Sequence, residues 1–145
     1  MGDPGGRVRT AVLISGRGSN LAALIDACAM PASSAEISLV ISNRPHAAGL
    51  KHVAAEGIAA EVIDHRRFEA REAFERAVTS ALEASNIQLV CLAGFMRLLS
   101  PWFTERWRDR VLNIHPSLLP AFPGLDTHRR ALTAGVRFSG CTVHF

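Results

Sequence analysis

Apolar residues in this chain fall into short continuous runs, separated by stretches with helical spacing. Val8 to Ser15, Ile37 to Ser42 and Ile87 to Ala93 are rich in β-branched and aliphatic residues, the pattern of strands buried on both faces. Ile87 to Ala93 is the most apolar and is expected at the centre of a sheet. Glu61 to Asp64, Val111 to His115 and Cys141 to Phe145 read as further strands. Helices are predicted over Leu21 to Ala29, His46 to Glu56 with Gly57 as its stop, Arg71 to Ala84, Pro101 to Arg108 and Thr127 to Ala134. The third of these carries the clearest stripe, with Ala73, Phe74, Ala77, Val78, Ala81 and Leu82 at helical spacing. Ser100 before Pro101 supplies an N-cap and a first-turn proline for the fourth. Strands alternating with helices predict an α/β domain with a mostly parallel sheet.

Composition narrows the class. Residues 1–7 are a small, Gly-rich lead-in, and residues 8–145 are expected to form one domain. Hydrophobic residues make up 48% of the 145 and charged residues 20%, enough apolar material for a core and too much for disorder. A formal net charge of +3 favours phosphorylated or polyglutamylated small ligands without requiring nucleic acid. Arg106, Arg108 and Arg110 alternate with Trp107 and Asp109 and read as a solvated helix end. Cys28, Cys91 and Cys141 have apolar neighbours and no CxxC spacing, so buried reduced thiols are expected rather than zinc ligands or a disulfide. The lead-in lacks a signal-peptide layout, and Gly6 stands where N-myristoylation needs Ser or Thr. Leu89 to Met96, the longest apolar stretch, is far short of the roughly 20 residues that span a bilayer. A cytoplasmic location is the expectation.

Three segments carry candidate chemistry. Val111-Leu112-Asn113-Ile114-His115-Pro116-Ser117-Leu118-Leu119-Pro120 places an amide and an imidazole two residues apart on a strand end, where both face the same side. Pro116 and Pro120 then stop the strand and stiffen the loop. An amide donor beside a group that exchanges protons near neutral pH suits acyl or formyl transfer. A polar strand end with a hydrogen-bonded histidine is the plainer alternative. Ser15-Gly16-Arg17-Gly18-Ser19-Asn20 joins the first strand to the first helix, as an anion-binding glycine loop or an ordinary turn. A dinucleotide site fits less well, because the third glycine of that motif would fall at Leu21 and no acidic ribose ligand follows the second strand. Gly94-Phe95-Met96-Arg97-Leu98-Leu99 follows the expected central strand, as a slot for a flat heterocycle or a cover for the core.

Asn-x-His-Pro-Ser-Leu-Leu-Pro resembles the active-site segment of the folate-dependent formyltransferases. Ser15 to Asn20, together with Pro123-Gly124-Leu125-Asp126-Thr127-His128-Arg129-Arg130-Ala131-Leu132, is similar to their glycinamide ribonucleotide branch. The likeness runs from about Val8 to the last residue. It implies a Rossmann-like fold with helices on both faces of the sheet, and formyl transfer from 10-formyltetrahydrofolate to the amine of 5'-phosphoribosylglycinamide in purine biosynthesis. It further implies Asn113 and His115 as catalytic, Gly18, Ser19 and Asn20 on the ribonucleotide phosphate, and Arg71, Met96, Arg97, Leu98, Leu99 and Asn113 on the folate. No metal is implied, the partners are small molecules rather than nucleic acid or membrane, and the state is monomer or homodimer.

The family pairs this histidine with an aspartate in a segment that would follow Phe145. The chain stops inside an apparent strand, so a C-terminally truncated piece with little or no turnover is expected. Methionyl-tRNA formyltransferase and formyltetrahydrofolate hydrolase share the Asn-x-His core and are the nearest rivals; a non-catalytic nucleotide-binding module is another. Asp126 occupies a position where relatives often carry histidine, and no role is carried onto it. Thr127-His128 is expected to cap a helix, His144 to be structural, and His46, His52 and His65 lack metal-ligand spacing.

Overall fold

The computed structural model describes residues 6–145; most of the expected lead-in lies outside the described residues. The chain runs β1 (Val8–Ile14), α1 (Ser19–Ala29), β2 (Ala35–Ser42), α2 (Leu50–Glu56), β3 (Ala60–Val62), α3 (Arg71–Ala84), β4 (Leu89–Leu92), α4 (Pro101–Arg106), β5 (Val111–His115), α5 (Thr127–Ala134) and β6 (Thr142–His144), with a 3-10 turn at His65–Arg67 before α3. The strands form a 6-stranded sheet in the order β3-β2-β1-β4-β5-β6. All neighbours are parallel except β6, which runs antiparallel to β5. The chain builds outward from β1 to β3, then crosses back to lay β4 on the other side of β1. β1 and β4 therefore border a topological switch point, where open α/β sheets leave a crevice at their carboxyl edge.

Strand alternation divides the core in two. Ala11 and Leu13 of β1, with Leu39 and Ile41 of β2, pack under Phe74, Val78 and Leu82 of α3 and under Phe103 and Trp107. Val12, Ile14 and Val40 point the other way, onto Leu21 and Ile25 of α1 and Val53 of α2. Helices thus cover both faces, as expected, and burial of each such side chain is worth about 1.5–3 kcal/mol. The helix stripe differs from the expected one. Ala73 is exposed, whereas Glu75 and Thr79 lie inside with Phe74, Val78 and Leu82. Both polar residues have partners: Thr79 Oγ1 accepts the Trp107 indole N–H at 3.2 Å, and the Glu75 carboxylate accepts the Ser100 backbone N–H at 2.7 Å. Satisfied hydrogen bonds are what allow polar groups into a core.

Several element ends moved. α2 begins at Leu50 rather than His46, because Gly49 donates its N–H to Gly16 O at 3.0 Å and pins the preceding residues as a turn against the glycine loop. α1 begins at Ser19 rather than Leu21. α4 stops at Arg106, short of Arg108, after opening as expected at Ser100, whose hydroxyl accepts from Phe103 N. Arg7 donates to the carbonyls of Cys28, Met30 and Pro31 at 2.9, 3.2 and 3.2 Å, tying the start of β1 to the end of α1. The thiols are free, but none is fully buried as expected: Cys28 and Cys91 are half-buried and Cys141 is exposed. Burial, with a smaller contribution from Cys28, pushes the Cys91 thiol above its ordinary range. Among the described residues no helix is long and apolar enough to cross a membrane.

Candidate active site

The carboxyl ends of β1, β4 and β5 lie side by side. Leu13 pairs with Leu92 and Leu92 with Asn113, so the segments after these strands emerge along one edge of the sheet. On that edge sit Ser15 to Asn20, Gly94 to Leu99, and the Asn113–His115 pair. All three candidate segments are therefore brought together, although up to a hundred positions of sequence intervene.

The glycine loop is compact. Gly18 has φ +76°, in the left-handed region, and a Cβ there would meet the Gly49 Cα at 2.7 Å. Its carbonyl accepts from Ala22 N at 2.9 Å to start α1. With glycine at the N-cap, no side chain caps this helix, and Ser19 and Asn20 are exposed in its first turn. Unused N–H groups at a helix start favour an anion. Gly18→Ala combines a disfavoured φ with a backbone clash and should cost about 1–3 kcal/mol. Urea unfolding of the variant checks this; an unshifted midpoint would mean that the loop relaxes freely.

The 94–99 segment is half open. Met96 is 61% and Leu98 79% exposed, whereas Phe95 and Leu99 pack against the α3 layer. Arg97 is half-buried, and its Nε is a buried donor without a partner. Arg71 is the exposed first residue of α3. It lies three positions before Phe74, whose ring stacks on Phe95 at 6.4 Å between centroids. The first turn of α3 therefore borders this segment. Glu75 and Ser100 fasten its far end through the bond to Ser100 N and a second one from the Ser100 hydroxyl.

Asn113 and His115 alternate with Ile114 and share the sheet face of Val111, the α3 face. Both are half-buried. A carbonyl can only accept, so the 3.1 Å contact between His115 Nε2 and Phe122 O means that Nε2 carries the proton. Nδ1 is then the nitrogen left for chemistry. β6 places His144 opposite Asn113 and Thr142 opposite His115. His144 is exposed, with its Nε2 3.4 Å from Asn113 Nδ2 and its Nδ1 2.9 Å from Phe145 O.

Other sequence candidates make no bond to this cluster among those described. Thr127 is the first residue of α5 and 4% exposed, so it does not cap; Asp126, with φ 54°, holds the N-cap position without a side-chain bond. His128, His46 and His52 are exposed. Among the described residues no group of His, Cys, Asp and Glu side chains could hold a metal ion. The buried bonds that Ser15, Asn43, Glu75 and His65 make here were not legible in the sequence. The one available hint was polar residues directly following buried runs, as Ser15 follows Ile14 and Asn43 follows Ser42.

A mostly parallel sheet covered on both faces, with a glycine loop after β1 and an Asn-x-His strand end on β5 along one edge, defines an α/β domain of the doubly wound class. The chain belongs to the formyl transferase family, whose model matches residues 8–145. It is 52% identical over 139 residues to the trifunctional purine biosynthetic protein adenosine-3 of Homo sapiens, covering 96% of this chain and 14% of that protein. It is 46% identical over 134 residues to the phosphoribosylglycinamide formyltransferase of Escherichia coli, covering 92% of this chain and 63% of that enzyme. The crystal structure of phosphoribosylglycinamide formyltransferase from Brucella melitensis superimposes with a TM-score of 0.93 at 50% identity, covering 96% of this chain and 72% of that one.

Proposed function

We propose that this domain transfers a formyl group from 10-formyltetrahydrofolate to the amine of 5'-phosphoribosylglycinamide. The observation that carries the reading is the pairing of Asn113 and His115 on one face of β5, on the same edge as the glycine loop and the 94–99 segment. Ser19, Asn20 and the Gly18 turn bind the phosphate at the start of α1. Met96, Leu98 and Leu99 wall the folate, Arg97 turns its unpartnered Nε toward a polar group of it, and Arg71 meets its acidic tail. The names of the relatives favour this acceptor over methionyl-tRNA.

The acceptor amine attacks the formyl carbon, and the carbonyl electron pair moves onto oxygen. Asn113 Nδ2 donates to that oxyanion as it forms, where a fixed donor is worth most. Collapse of the adduct breaks the bond between the formyl carbon and N10. His115 delivers a proton to N10 from Nδ1, while Phe122 O holds the ring through Nε2–H. The proton lost by the attacking amine restores the imidazolium. The substrates are small molecules, handled by a monomer or homodimer, and free thiols suit a cytoplasmic setting.

The test is turnover by the full-length protein with each candidate acceptor. Tetrahydrofolate release dependent on phosphoribosylglycinamide supports the reading. Release dependent on methionyl-tRNA alone, or on water alone, overturns it.

A further inference from the structure

One buried hydroxyl links the two loops assigned above to different substrates. Ser15, 3% exposed, lies at the root of the glycine loop. Its Oγ accepts the Met96 backbone N–H at 2.9 Å, from the middle of the 94–99 segment. The same hydroxyl donates to Asn43 Oδ1 at 2.6 Å. Asn43 is 1% exposed and follows β2. With its Oδ1 occupied as acceptor, its Nδ2 lies 3.1 Å from His65 Nδ1, and its backbone carbonyl oxygen lies 3.3 Å from the same nitrogen, so Asn43 holds the ring at two points. His65 also packs edge-on against Phe74 at 6.2 Å, and Phe74 stacks on Phe95 of the same 94–99 segment. Hydrogen bonds and ring contacts thus close a circuit through β1, β2, the 3-10 turn, α3 and the segment after β4.

We propose that Ser15, held by Asn43 and His65, is a positioning residue that couples the two substrate loops, so that occupancy of one orders the other. Neither loop has another hydrogen bond of this kind to its neighbour among those described. Ser15 itself stands three residues before Gly18 and reaches the folate-side segment only through the Met96 backbone N–H. When a first ligand fixes its loop, the shared hydroxyl fixes the second loop in part, and the second ligand binds to a site already ordered. Linkage requires the effect to be equal in both directions. This inference rests on the formyl-transfer reading, because it needs two substrates on these two loops.

The experiment is calorimetry on the full-length protein with tetrahydrofolate and phosphoribosylglycinamide, a pair that carries no formyl group and cannot react. Saturating ribonucleotide should tighten tetrahydrofolate binding in the wild type by about fivefold or more, the low end of ordinary coupling. Ser15→Ala should bring that ratio close to one, while Ser15→Thr, which keeps the hydroxyl, should retain it. The Met96 amide in the unliganded protein should exchange with solvent about tenfold faster in Ser15→Ala, the scale of one lost hydrogen bond. kcat with both substrates saturating should stay within about twofold, since the reacting groups are untouched. Should Ser15→Ala not fold, His65→Leu, which lies in neither loop, must lower the ratio. A wild-type ratio of one, or an unchanged ratio or Met96 exchange in the variants, overturns the coupling and leaves formyl transfer standing. Failure of the wild type to bind either ligand overturns formyl transfer and the coupling with it.

Discussion

Asn113→Ala is expected to lower kcat for formyl transfer by about 10²–10³, with much smaller changes in the KM of either substrate. The amide stands on a strand paired to β4 on one side and β6 on the other, so it is held in place before any substrate arrives. A donor fixed in advance pays no reorganisation when negative charge develops on the former carbonyl oxygen, and this is why its removal falls on kcat. Asn113→Asp should be at least as impaired, because a carboxylate accepts where the amide donates and places like charge beside the oxyanion. Steady-state kinetics of both variants decide the matter. A change confined to KM would assign Asn113 to substrate binding and remove it from the chemistry.

Phe74→Ala is expected to destabilise the domain by about 3–5 kcal/mol, a large part of the roughly 5–15 kcal/mol that holds a domain of this size together. Phe74 is 2% exposed and meets Phe68 edge-on at 5.9 Å as well as His65 and Phe95. Truncation leaves a cavity between α3 and the sheet that the flanking rings can fill only by leaving their own positions. Phe95 is one of those rings, so folate KM should rise while ribonucleotide KM changes less. Urea unfolding monitored by tryptophan fluorescence reads the first effect, since Trp107 lies in the same core. A loss below about 1 kcal/mol, the scale of a volume-conserving swap, would show that Phe74 is not a keystone of this layer.

The strands of the parallel sheet were legible because burial on both faces leaves no room for polar alternation. β1, β2 and β4 stand out as aliphatic runs, and β4 does lie in the interior of the sheet, between β1 and β5. Helix starts were less legible. His46 to Gly49 has helix-compatible residues, but the chain there forms a turn, because Gly49 must approach Gly18 and bond to Gly16 O. That constraint comes from a loop about thirty residues away and leaves no local trace. Glu75 shows the same limit inside α3. Its charge places it on the outside by any periodicity argument, yet the cap of α4 supplies two donors and draws it in.

The Asn113–His115 pair was readable from spacing alone, since strand geometry puts alternate residues on one face whatever surrounds them. The glycine loop was readable for a similar reason: a positive φ at Gly18 is a property of one residue and its immediate neighbours. Those local features, with the order of strands and helices, are what the amino-acid sequence determined. The crossover that sets β4 beside β1 was decided by the tertiary structure. So were the burial of Ser15 and Asn43 between three strand ends, and the placing of His144 opposite Asn113. Each depends on contacts between segments distant in the chain, and such contacts are chosen by the packing of the whole core rather than by any stretch of it.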